Sequence, residues 1–542
     1  MIRSGLRPSA AVLLVASLGA CSPIPPAPFA LRGEDGTSHA VVPDVRLPTG
    51  LEGTIGGGGR AAVRYSLKSP VRADDPRAAL EIDYELSGLG RVEVFPEGRR
   101  AEPLVSADLP AGPNRIRWML PLPGPASLSS FRFAVLPESQ AAGSPGSVLR
   151  VSALSLASLS AGFEVLADGA RFSRSSSLTR DPAGIETIRI EHPYGLGDDP
   201  VVRIDSLSPS LQVRVEGGRT AVLERTSGSI TLVPLRALGG FGTVNVEAPE
   251  SDSLRSVFVL PAAEIPGLLS LDLAVILALS PSENSTAYQL YRWSVFPECL
   301  VFDFRDYSVQ DAYLKRLAFF VEKEGFRGRM ASDSEIDRLH GWNAHDYRAE
   351  DLAAFFDKAQ AVAFPLSSQE LELREVLERE GVLVREGNRF KPGKGVLISI
   401  SRESTAYLRD LFLTHEASHA LFFLDESYRS LVRSLWSAQS PEERRFWNVF
   451  LSNRDYDPGD AYLSYNELQA YLVQQPPSRL EFWLREIAYA RLAKSYPDRA
   501  QSILEDLEAA LPGFKAKAQT LDAYLRTTYG FRGGSFWRVR FE

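Results

Sequence analysis

Ser404-Thr405-Ala406-Tyr407-Leu408-Arg409-Asp410-Leu411-Phe412-Leu413-Thr414-His415-Glu416-Ala417-Ser418-His419-Ala420-Leu421-Phe422-Phe423 decides the reading of this chain. Ser404 or Thr405 can cap a helix start. Leu408, Leu411, Phe412, His415, His419 and Phe422 recur at spacings of three and four, so they share one helical face. His415 and His419 stand one turn apart on that face and can bind one metal ion. Glu416 lies beside such an ion rather than on it, where it can accept a proton from water. A lone histidine on an apolar face is usually a core residue. This pair, with its glutamate and only six histidines in 542 residues, is not well explained that way.

A catalytic zinc ion needs a third protein ligand and one open position. Two carboxylates compete for the role. Glu467 follows in Tyr462-Leu463-Ser464-Tyr465-Asn466-Glu467-Leu468-Gln469-Ala470-Tyr471, a second helical segment. Asp425 comes soon after His419, but that route needs a glycine to turn the chain, and Phe422 and Phe423 stand there instead.

The HExxH spacing on an apolar helix, with Asn466-Glu467 downstream, resembles the zincin metallopeptidases of gluzincin type. The resemblance covers these two motifs and their order, and no narrower family is assigned. It implies one Zn2+ ion on His415, His419 and Glu467, with Glu416 as general base for peptide-bond hydrolysis. Some gluzincins place an aspartate four residues after the ligating glutamate; here Tyr471 occupies that position, leaving Asp410 or Asp425 as second-shell candidates. Tyr462, Tyr465 and Tyr471 are candidate donors to a developing oxyanion, although each is more commonly a core aromatic. The strand around Val396–Ile400 resembles the edge strand on which zincins hold an extended peptide.

The rest of the chain is organised around this segment. From about 264 to 542 the spacing is mainly helical, as in Ala349–Ala363 and Ser368–Glu380. A strand pair is expected at Val382–Val384 and Gly395–Ile400. From 39 to 263 apolar and polar residues alternate in short runs cut by Gly, Pro and Asp, as in Leu211-Gln212-Val213-Arg214-Val215. That pattern predicts two β-sandwich modules, 39–158 and 159–263. The expected fold is therefore multidomain: all-β sandwich modules followed by a mainly helical α+β zincin-like domain. His340-Gly341-Trp342-Asn343-Ala344-His345-Asp346-Tyr347 reads as a loop, with Asp346 starting the next helix and His345 as a candidate substrate contact.

At the N-terminus, Arg3 and Arg7 precede the apolar Ala10–Leu18, which is too short to span a bilayer. Leu18-Gly19-Ala20-Cys21 resembles a bacterial lipobox. It implies a signal peptide over 1–20, lipidation of Cys21 and an acyl anchor in a lipid bilayer. Residues 21–38 read as a flexible tether. Cys299 is then left without an intrachain partner and sits in an apolar run as a buried thiol.

Net charge is −8, with 60 basic and 68 acidic residues spread along the chain. No basic block points to nucleic acid. The expected activity is a zinc peptidase in the bacterial cell envelope, periplasm or outer membrane, acting on peptide, protein or cell-wall peptide. The rival is a non-catalytic adhesion or scaffold lipoprotein with a relic or structural zinc site.

Overall fold

The computed structural model describes residues 176–542 except 193, 226–229, 241, 251–252, 280–285 and 324; before 176 it describes chiefly strand backbones. Cys21 and most of the expected export segment and tether lie outside the described residues. Within that segment the strand Val12–Val15 pairs with Val148–Ser158.

The chain divides into two compact units, Met1–Glu264 with Phe541–Glu542, and Ile265–Arg540. The first is β-rich. Its later part holds antiparallel strands whose burial alternates, as in Ser210–Val215, where Leu211, Val213 and Val215 are buried between exposed Gln212 and Arg214. The alternation read in the sequence is thus a physical division between an inner and an outer face.

The second unit starts with a five-stranded sheet. Its order is Ser270–Leu271, Tyr288–Trp293, Phe296–Phe304, Val396–Ser401 and His345–Arg348. Phe296–Phe304 runs parallel to Val396–Ser401, while His345–Arg348 pairs with it antiparallel. Every residue of Val396–Ser401 is buried, as suits a strand paired on both sides. One sheet face packs against the helices Tyr307–Val321, Ala349–Ala361 and Ser368–Arg379 through Leu300, Phe302, Leu314, Phe355, Leu373 and Leu397. Full burial of each such side chain contributes about 1.5–3 kcal/mol.

Two strand expectations are corrected. Leu383–Glu386 pairs with Arg389–Pro392, not with Val396–Ser401. Gly387 at φ 61° turns the chain within a short hairpin, and Val396–Ser401 leaves it to enter the main sheet. The sheet edge beside the helix is therefore His345–Arg348, and Val396–Ser401 is interior. The loop expected at His345–Tyr347 is this edge strand, and the next helix is capped by Arg348 rather than started by Asp346.

The HExxH helix spans Ala406–Leu424. Thr405 caps it by accepting from the Leu408 amide. It packs on Val396–Ser401, on the edge strand and on the helix Ala461–Val473 that carries Glu467. Asp425 ends it and also caps the next helix, Glu426–Ser437, by accepting from Ser427 and Tyr428 amides. The Asp425 carboxylate further accepts the Tyr524 and Tyr529 hydroxyls at 2.7 and 2.8 Å. Those two tyrosines end the 30-residue helix Ala500–Tyr529. Cys299 is fully buried in Phe296–Phe304, and burial pushes its thiol up. Among the described residues no helix is long and apolar enough to cross a membrane.

Candidate metal centre

Helical geometry brings the two imidazoles of the HExxH helix together, with ring centroids 4.8 Å apart. The second helix then supplies the carboxylate. Glu467 Oε2 lies 3.6 Å from His415 Nε2, and Glu467 Oε1 lies 3.7 Å from His419 Nε2. Ligands about 2.0–2.1 Å from a tetrahedral zinc stand roughly 3.4 Å apart, so this spacing fits one ion between them. Glu467 is 3% exposed, and its Oε2 has no hydrogen-bond partner. A buried carboxylate oxygen left unpaired costs free energy unless something positive meets it. The donor set of two nitrogens and one carboxylate suits zinc.

Local contacts hold the two helices in register. Ser418, between the histidines, donates to the His415 carbonyl at 2.6 Å and accepts from Gln469 Nε2 at 3.3 Å. Gln469 also accepts the Tyr428 hydroxyl at 2.8 Å. Asp460 caps the Glu467 helix through the Leu463 amide, and Trp447 Nε1 donates to the Ser464 carbonyl.

Electrostatics follow from burial. Desolvation lowers His415 to about 4, so its ring is neutral at ordinary pH and free to ligate. The same effect raises Glu467 to about 7. Glu416 is buried beside His415, and its carboxyl is pushed well above the usual range by burial first and then by Asp346, to which it hydrogen-bonds. Glu322, at the end of helix Tyr307–Val321, is also raised, by burial first and then by Asp346 and Glu467. Four carboxylates therefore crowd one place, a state that added positive charge relieves.

The residues anticipated for the site fall in distinct places. His415, His419 and Glu467 come together, with Glu416 adjacent. Tyr471 lies edge-on to His415 at 4.7 Å between ring centroids, in an aromatic cluster with Trp447, Phe450 and Trp483. Tyr462 and Tyr465 instead pack on Phe422. The Tyr465 hydroxyl accepts from Arg433 at 3.4 Å. Asp425 is occupied by its caps and tyrosines, and Asp410 is exposed, so neither orients a histidine. That place is taken by Gln474, whose Oε1 is 3.1 Å from His415 Nδ1. His345 is buried with Nδ1 on the Tyr347 hydroxyl at 2.8 Å, and burial lowers it to about 3. It joins no ligand group among the described residues.

Sequence reasoning missed Gln474, Glu322 and Asp346. Asp346 pairs with Ile398 across the edge of the sheet, whereas the neighbouring Tyr347 and Leu397 point into the core on the opposite face. Alternation along the strand therefore turns Asp346 toward the HExxH helix. The dense polar stretch His340–Tyr347 marked the region, but its strand character was hidden by a lack of apolar alternation.

Comparison with known proteins adds no family. No protein-family model matches the chain, and no curated protein matches its sequence. Among solved structures, a glycoside hydrolase domain of Endo-D from Streptococcus pneumoniae matches 44% of this chain at 9% identity and TM-score 0.15. The chain covers only 32% of that domain. A cupin barrel protein from Leptotrichia buccalis matches 41% of the chain and 88% of its own at 8% identity and TM-score 0.11. The oxalate decarboxylase of Lactobacillus farciminis matches 41% and 81% at 11% identity and TM-score 0.14. Scores this low carry no argument about fold or activity.

Proposed function

We propose that this chain is a zinc-dependent peptidase of the bacterial cell envelope, lipid-anchored through Cys21 and acting outside the cytoplasm. In this reading the first unit consists of β-sandwich modules and the second is a zincin-like catalytic domain. One observation carries it: His415, His419 and Glu467 direct ligand atoms at one another within 4.8 Å, with the buried carboxyl of Glu416 alongside.

His415, His419 and Glu467 would hold the ion, which when bound supplies a Lewis acid that polarises a carbonyl and acidifies water. Glu416 takes the proton of the attacking water and passes it to the leaving amine. For that work Glu416 must be ionised, and positive charge beside it lowers the carboxyl that burial and Asp346 have raised. Gln474 holds the His415 ring in place. Tyr471 is the aromatic nearest the ligands among the three donor candidates, through its contact with His415.

The test is Glu416→Gln in the full chain, read on a panel of peptides and cell-wall peptides alongside zinc content. A peptidase loses hydrolysis by about 10²-fold or more while its zinc content stays at the wild-type level. Zinc binding by a wild-type protein that cleaves nothing in the panel would favour the adhesion or scaffold reading.

A further inference from the structure

The metal centre has a second set of convergent atoms. Asp346, Glu416 and His419 also place one ligand atom each within 4.8 Å of one another. The two sets share His419. Its Nε2 is 3.7 Å from Glu467 Oε1 and 3.9 Å from Asp346 Oδ1. The two carboxylates are thus nearly equidistant from the same nitrogen, one on each helix or strand that flanks it.

Asp346 therefore converges with Glu416 on the same His419 nitrogen that faces Glu467. His415, His419 and Glu467 would hold an ion, and Asp346 and Glu416 are the carboxylates left over that meet His419. A general base needs only one carboxylate there. The second comes from a different element, the edge strand; it is 17% exposed and is hydrogen-bonded to Glu416.

Resting on the peptidase reading, we propose that Asp346 is a fourth protein ligand, which closes the metal's remaining corner in the resting protein and gives it up to water and substrate. Ligation needs its side chain to move, since Asp346 converges with His419 and Glu416 and does not yet converge with His415 and Glu467. The 3.9 Å to His419 is close to the separation of roughly 3.4 Å between ligands of a tetrahedral zinc. Asp346 sits on the sheet margin, where strand partners are present on one side only. A peptide pairing with that margin would lie along the strand that carries Asp346. The centre would then open on substrate arrival and stay shut to small solutes otherwise.

The test uses the full chain with Zn2+ or Co2+ as the metal, comparing wild type with Asp346→Ala and Asp346→Asn. Zinc affinity is measured by chelator competition, and the Co2+ form by its visible spectrum during titration with acetohydroxamate. The proposal expects zinc affinity to fall by about tenfold or more in both variants. It also expects hydroxamate to perturb the Co2+ spectrum at markedly lower concentration than in wild type. The Asn variant keeps the shape of the side chain, so a loss seen in both variants does not stem from misfolding. If both variants bind zinc as tightly as wild type and respond to hydroxamate alike, Asp346 is no ligand and the proposal falls, with the peptidase reading intact. If wild type itself takes up neither zinc nor cobalt, the peptidase reading falls with it.

Discussion

Arg409 Nη1 meets Asp303 Oδ1 at 2.8 Å, joining the first turn of the HExxH helix to the end of the strand Phe296–Phe304. Asp303 is 1% exposed and also accepts from Arg402 Nε at 3.0 Å. The contact fixes where the helix starts on the sheet, less than two turns before His415. Arg409→Leu leaves Asp303 with Arg402 alone. We expect a loss of about 3 kcal/mol in unfolding free energy, because one partner of a buried charge pair is removed. Denaturant unfolding of the second unit's transition checks this; an unchanged midpoint would show that Arg402 suffices.

Glu467 supplies the only carboxylate in the primary ligand set. In Glu467→Gln the weaker amide oxygen replaces it, and zinc affinity should fall by at least about 100-fold. The fold should be retained, since the burial of a neutral side chain is cheaper than that of a charge. Equilibrium dialysis gives the affinity, and circular dichroism gives the fold. Zinc retained at wild-type affinity would remove Glu467 from the ligand set.

Gln474 meets the candidate ligand set through His415 Nδ1. Gln474→Leu should weaken zinc binding by about 10–100-fold through loss of ring orientation. Gln474→Glu should recover most of it, because a carboxylate accepts the same ring proton more strongly. A merely structural role would give the opposite order, since a buried charge costs more than an apolar side chain.

The pH dependence of metal uptake follows from burial. Glu467 stands at about 7 and His415 at about 4 in the metal-free protein. A cation takes the ionised carboxylate and the neutral ring. Zinc affinity should rise about tenfold per pH unit toward about 7 as one proton is displaced from Glu467, then flatten. For stability the sign is opposite. The Glu467 carboxyl is raised from 4.5, so its contribution to the metal-free fold is full below about 4.5 and is lost as pH climbs through about 7. Zinc should therefore raise the melting temperature more at pH 8 than at pH 5. Calorimetric titration in buffers of different ionisation heats counts the protons, and a flat affinity across this window would refute the assignment.

The ligand-bearing elements could be read in the residues, and their surroundings could not. His415, Glu416 and His419 declare themselves because helical periodicity acts over one turn. Glu467 was accessible as a polar residue in an apolar helical segment. The helix Glu426–Ser437 was missed because Asp425 breaks the chain for a single residue, too short an interruption to show in a pattern. Asp346 was assigned to a helix start, since acids favour that place. Only pairing with Ile398, 52 residues later, makes it a strand residue turned toward His419. Gln474 lies seven residues beyond Glu467, and no local rule links a glutamine there to the first histidine.

Asp425 makes the last long helix matter at the candidate metal centre. Its one carboxylate terminates the helix of the two histidines, begins the next, and is gripped by Tyr524 and Tyr529 from the last long helix. A chain cut short before those tyrosines would release the brace behind His419. Damage to the tail would then be felt where the two histidines converge with Glu467, without any of those three residues having changed.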